Sequence, residues 1–110
     1  MPVSQGYVDY VVDQHSEFGE LIIRKMFGGV GLYHEGLMFA MITAKEVFCL
    51  KADKSNEAEF EEKGMTRFGA TATKKGMPYW EVPAEVLEDK SELAKWAMKS
   101  YEVVLKKKKK

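Results

Sequence analysis

Three glycines in four positions, Gly28-Gly29-Val30-Gly31, stand between the run Leu21-Ile22-Ile23-Arg24-Lys25-Met26-Phe27 and the apolar stretch Leu37-Met38-Phe39-Ala40-Met41-Ile42. Both flanking runs are rich in strand-forming residues, so the glycines fall inside a sheet. A phosphate-binding loop would need a helix N-terminus directly behind it, where free amides and the helix dipole attract an anion. Here a strand pattern follows, the dinucleotide spacing is absent, and no glycine-lysine-serine ending is present. The cluster therefore predicts a bulge, a turn, or a place where backbone passes close to a neighbour.

The chain has 110 residues, which suits one domain with a single core, expected over 1–105. With 45% hydrophobic and 31% charged residues, the composition is neither that of a disordered chain nor that of a membrane protein. The run Leu37–Ile42 is far too short to span a bilayer, and Met-Pro-Val-Ser-Gln does not open a secretory signal. The single cysteine, Cys49, lies in Val47-Phe48-Cys49-Leu50 and is expected to be a reduced, buried thiol in a cytoplasmic protein. The formal net charge of zero hides an asymmetry. Five of the 17 basic residues are Lys106–Lys110, so the body carries 12 basic against 17 acidic residues, a net of −5. Such a body is a poor match for a broad phosphate-gripping face. The lysines at 106–110 are expected to be a solvated, disordered tail, with nucleic acid as a weaker expectation.

Periodicity supplies the elements. Ser4 is positioned to cap a first helix in which Tyr7, Val8, Val11, Val12 and His15 share one face, with Phe18 beyond it and Gly19 as a stop. The apolar runs that follow are read as three strands, with Glu35-Gly36 as a two-residue hairpin turn between Val30–His34 and Leu37–Thr43. Ala44-Lys45-Glu46 links them to Val47–Lys51. The runs Leu37–Ile42 and Val47–Leu50 are apolar on both alternating sets of side chains, which predicts cover on both faces, a second copy being one source of it. Asp53 or Ser55 is expected to cap a short helix carrying Ala58 and Phe60, stopped at Gly64. Two strands, Thr66–Thr73 and Met77–Val82, should flank a turn at Lys74-Lys75-Gly76, with Pro78 at an edge or a strand start. After a break at Pro83, Glu85–Leu87 suggests one helical turn. Asp89 or Ser91 then caps a last helix presenting Leu93, Trp96, Ala97, Tyr101 and Val104. The predicted fold is α+β: a mainly antiparallel five-stranded sheet, element order α-β3-α-β2-α, with the terminal helices on one face.

Little in the sequence points to catalysis. His15 and His34 have no metal-ligand spacing and no readable nucleophile beside them. His15 is expected at the end of the first helix, where a cation suits the dipole, and His34 beside the hairpin turn. Glu57, Glu59, Glu61 and Glu62 read as a solvated acidic face. Arg24 and Lys25 with Tyr79 and Trp80 offer a weak basic-aromatic platform for single-stranded nucleic acid, and the trio Arg67, Lys74 and Lys75 is weaker still. No catalytic residue, cofactor or metal is expected.

In combination, Arg24-Lys25-Met26-Phe27-Gly28-Gly29, Gly31-Leu32-Tyr33, Gly36, Met38-Phe39-Ala40, Leu50-Lys51-Ala52-Asp53, Phe60, Gly64, Phe68, Met77 with Tyr79, Pro83, Leu87 and Trp96 resemble the N-terminal domain of the TfoX/Sxy family, bacterial regulators of natural competence. The resemblance spans nearly the whole chain. It implies a secretion-chaperone-like α+β fold, a class that often forms homodimers, and a regulatory role through protein contacts near the transcription machinery. Ala70 departs from it, standing where an aromatic residue would follow Phe68. Longer members carry a second domain with helix-hairpin-helix-like character, and its DNA-related role does not transfer. The surface expected to matter comprises Arg24, Met26, Phe27, Gly28, Gly29, Gly31, Tyr33 and Tyr79. Gly28 and Gly29 would set the backbone, Phe27 and Tyr33 would pack around it, and Arg24 would meet a carboxylate or an anion. Two other functions compete with this one. Lys106, Lys107, Lys108, Lys109 and Lys110 would hold nucleic acid in the first. In the second, a pocket lined by Arg24, Tyr33 and Tyr79 would mark a ligand binder or enzyme.

Overall fold

A computed structural model describes residues 4–26, 29–69 and 78–108. The first helix, α1 (Gln5–Gln14), starts where the Ser4 hydroxyl accepts the Tyr7 amide at 3.3 Å. Five strands and a short helix follow in the order β1 (Ile22–Met26), β2 (Gly29–His34), β3 (Leu37–Ile42), β4 (Phe48–Lys51), α2 (Glu57–Glu62) and β5 (Thr66–Arg67). The chain then forms β6 (Tyr79–Glu81), α3 (Ala84–Leu87) and α4 (Lys90–Lys108). All six strands form one antiparallel sheet ordered β1-β2-β3-β4-β6-β5. The α+β class is as expected, but the strand number is six, not five. The run Val47–Lys51, set apart by Ala44-Lys45-Glu46, is the strand the expected count omits, and a turn braced by Thr43 separates it from β3. In that turn the Thr43 amide donates to the Val47 carbonyl at 2.9 Å, and the Thr43 hydroxyl accepts the Val47 amide at 3.2 Å.

The hairpin reading holds in detail. Glu35 and Gly36 have φ of 49° and 83°, the left-handed pair that matches the twist of two antiparallel strands. Pro78 precedes β6 directly, and its carbonyl accepts the Ala52 amide, so its missing N–H costs no ladder bond. Asn56, not Asp53 or Ser55, holds the N-cap position of α2. The Asp53 carboxylate instead accepts the Ser55 amide and hydroxyl in the lead-in turn. Asp89 is the residue that caps α4, accepting the Glu92 amide at 3.1 Å. That helix continues through Lys108, beyond the domain boundary expected after residue 105. The expected turn at Lys74-Lys75-Gly76 lies outside the described residues.

Helices α1 and α4 cover one face of the sheet. Val8, Val11, Leu93, Ala97 and Val104 join Val30, Leu32, Ala40, Ile42, Phe48 and Leu50 in one core. Phe60 meets Trp96 edge-on, with ring centroids 5.0 Å apart, and so ties α2 to α4. A shift in the β2–β3 register, from Leu32↔Ala40 to Tyr33↔Met38, leaves Phe39 without a partner. This bulge accounts for part of the two-sided apolar pattern in β3. Phe39 and Ala40 are adjacent in sequence yet both fully buried, Phe39 against the rings of His15 and Phe18 on the helix side.

Candidate functional site: the sheet face opposite the helices

Strand alternation and register place Ile22, Arg24, Met26, Gly29, Gly31, Tyr33, Met38, Met41, Cys49, Lys51, Tyr79 and Glu81 on the other face. Most of the expected motif is thus brought together: Arg24, Met26, Gly29, Gly31, Tyr33 and Tyr79 share one surface. Phe27, Gly28, Lys109 and Lys110 lie outside the described residues. Trp80 does not join its neighbour Tyr79. It points to the helix side and is buried, so the basic-aromatic platform expected from Arg24, Lys25, Tyr79 and Trp80 is divided between two faces.

Neither Gly29 nor Gly31 appears among the positive-φ residues, so what they provide is space. A Cβ on Gly29 would collide with the Ile42 carbonyl oxygen of β3, a backbone atom that cannot turn aside. A Cβ on Gly31 would stand 2.9 Å from Met26 Sδ and 3.2 Å from both Met38 Sδ and Tyr33 Cε1. Gly31 therefore makes the hollow that these three side chains fill. Beside it the Arg24 guanidinium sits 5.6 Å from the Tyr33 ring centre, and farther across the sheet the Lys51 ammonium sits 5.8 Å from that of Tyr79. Met38, Met41 and Tyr33 are half-buried, while Arg24 and Ile22 are exposed.

Burial shifts three titratable groups on this face. Burial pushes the Cys49 thiol up to about 12, helped by the nearby Glu81 carboxylate, so it is no thiolate nucleophile at neutral pH. Burial also raises the Tyr79 hydroxyl, with Tyr33 and Cys49 adding smaller effects. Lys51 is lowered by burial first and then by the charge of Lys107. Lys106 extends from α4 to donate to the Ser55 hydroxyl at 3.4 Å, so Lys51, Lys106 and Lys107 gather near the end of α4.

His15 lies on the helix side and corrects the expectation of a cation at the end of α1. It occupies the C-cap, but it is fully buried. Its Nδ1–H donates to the Val11 carbonyl at 2.8 Å, and Nε2 has no partner among the described residues. Burial lowers its pKa to about 4 despite the bond to Val11, so the ring is neutral. His34 flanks the turn as expected. Its Nδ1–H donates to the Glu20 carbonyl at 2.8 Å, and its ring packs on Phe18 and Tyr101.

A cavity of about 600 Å³ opens at the end of the sheet and shares Met26 and Met41 with the face opposite the helices. Its described lining is Met26, Val30, Met41, Ile42, Thr43, Ala44, Lys45 and Phe68, so the expected pocket of Arg24, Tyr33 and Tyr79 is not where it lies. Sequence reasoning missed this cavity. Among the described residues no helix is long and apolar enough to cross a membrane, and no three acidic, His or Cys side chains group to hold a metal ion.

No curated protein matches the chain. The family model of the TfoX N-terminal domain does, over residues 13–104, which takes in the sheet, α2, α3 and most of α4. The chain belongs to the TfoX N-terminal domain family.

Proposed function

We propose that this protein is a non-catalytic regulatory module of the cytoplasm that acts by protein contact, as a homodimer, in the control of transcription or competence. One observation carries the contact surface. Tyr33, Met38 and Met41 are half-buried on a sheet face where no described helix packs, with the Arg24 cation at its border. Methionine and tyrosine make adaptable contacts, and an arginine beside them suits a partner carboxylate. Sedimentation equilibrium tests the pairing: a dimer is expected, weakened by Met38→Glu, whereas a strict monomer at high concentration refutes it. Capture of partners from the source cell, compared between the intact chain and Arg24→Ala, tests the regulatory contact. Partner recovery that Arg24→Ala leaves unchanged would remove Arg24 from the reading.

A second reading is favoured by the gathering of Lys51, Lys106 and Lys107: nucleic acid held by the end of α4 and the lysines that follow. Five neutralised phosphates would give a log–log salt dependence of about −4, lost on deleting Lys106–Lys110. Binding that survives the deletion would locate the contact in the body of the domain.

A further inference from the structure

We propose that the cavity at the end of the sheet binds a small amphiphilic anion, an unbranched or aromatic carboxylate, with its apolar part inside and its carboxylate at Lys45. This binding site goes beyond the regulatory reading and does not depend on it, though it shares Met41 with the proposed contact face. The volume of about 600 Å³ lies within the range of small-molecule sites. Its described wall is apolar, formed by Met26, Val30, Met41, Ile42 and Phe68 from four separate strands or strand ends. Two of these are methionines, whose unbranched thioethers adjust to a ligand's shape.

The polar side chains of the described lining are Thr43 and Lys45, both in the turn after β3. Among the described lining residues Lys45 alone is charged, and it has no ion-pair partner among the described residues. The adjacent acid, Glu46, is engaged elsewhere: its carboxylate accepts the Ser4 amide at 2.9 Å. The loop carrying Lys45 is preformed. The Thr43 amide and hydroxyl both bond Val47, and the Glu46 amide donates to the Thr43 carbonyl at 2.8 Å. With its oxygen already accepting the Val47 amide, the Thr43 hydroxyl keeps a proton to give to a carboxylate. Gly29 also belongs to the design, because only a residue without Cβ lets β2 pass this close to the Ile42 carbonyl beside the cavity.

The test uses the full chain labelled at its methionine methyls, titrated with sodium decanoate and, separately, decylammonium, both below their micelle concentrations. Decanoate should shift the Met26 and Met41 methyls saturably and leave Met98, exposed on α4, in place. Decylammonium should bind about tenfold more weakly, because the same cation that attracts a carboxylate repels an ammonium. Lys45→Glu should weaken decanoate by about tenfold, and Lys45→Arg should restore it. Lys45 is exposed, so both variants should keep the wild-type methyl spectrum without ligand. The proposal is overturned by unmoved Met26 and Met41 methyls, by equal affinity for the two amphiphiles, by a Lys45→Glu variant that binds as well as wild type, or by shifts that spread equally to Met98. Sedimentation of Lys45→Glu separates this result from the dimer, since Lys45 follows the end of β3 and Met38 stands near its start, so association should be unchanged.

Discussion

Acidification should destabilise this domain through His15 well before the carboxylates titrate. The ring is packed edge-on against Phe18, Phe39 and Phe48, with centroids 6.0, 5.9 and 5.4 Å away, and Nε2 has no hydrogen-bond partner among the described residues. Its pKa falls from the ordinary 6.5 to about 4 in the folded protein. The unfolded chain therefore takes up a proton through a range in which the native state does not, and stability must fall as pH falls from 6.5 towards 4. From those two values the loss is about 2 kcal/mol at pH 5 and about 3 kcal/mol at pH 4, relative to pH 7. Urea unfolding followed by tryptophan fluorescence measures it, since Trp80 and Trp96 are both buried. His15→Phe is the discriminating variant, because a phenyl ring suits the aromatic neighbours and cannot be protonated. It should change stability at pH 7 by less than about 1.5 kcal/mol and should flatten the slope between pH 7 and 5. Asp53, Glu46 and Glu92 also have lowered values, through bonds to Ser55, Ser4 and Trp96 respectively, and lose stability only at lower pH. They cancel in the comparison between variant and wild type. An unchanged slope in His15→Phe, or a His15 resonance titrating near 6.5, would refute the reasoning.

Two glycines should respond differently to the same substitution. Gly29→Ala forces a Cβ onto the Ile42 carbonyl and should cost about 1–3 kcal/mol by urea unfolding. Gly36→Ala meets nothing within 4 Å and should cost only the left-handed backbone penalty, about 1–2 kcal/mol, without perturbing amide shifts in β3. A tolerated Gly29→Ala would contradict the close strand approach. Cys49, with its thiol held at about 12, should react with a disulfide reagent at pH 8 only through unfolding, at a rate that climbs with urea. Complete labelling within seconds in buffer would show that the thiol is open.

What the sequence made legible follows the strength of local rules. The Glu35-Gly36 turn, the Ser4 cap and the spacing of the last helix each depend on a few adjacent residues, and each is found as expected. The expected count of strands fell one short at β4, although the polar link Ala44-Lys45-Glu46 already marks its separation from β3. Phe39 confused the pattern for a different reason: a bulge puts two neighbours on one side, and alternation cannot announce it. The division of Tyr79 from Trp80 was legible, since adjacent strand residues face opposite ways. So was the burial of His15, which belongs to the same helix face as Tyr7, Val8 and Val11. The cavity had no such signal. Met26, Thr43–Lys45 and Phe68 are distant in sequence, and only the assembled sheet brings them to one opening.

The two borders of the sheet are unequal. At one end stands β1, five residues long; at the other, β5 pairs through two. Backbone groups offered along an outermost strand invite further strands, and a molecule with two generous borders can polymerise without limit. Among the described residues only the β1 border offers a template of that length, so a twofold contact through it would use up that template and halt at a pair.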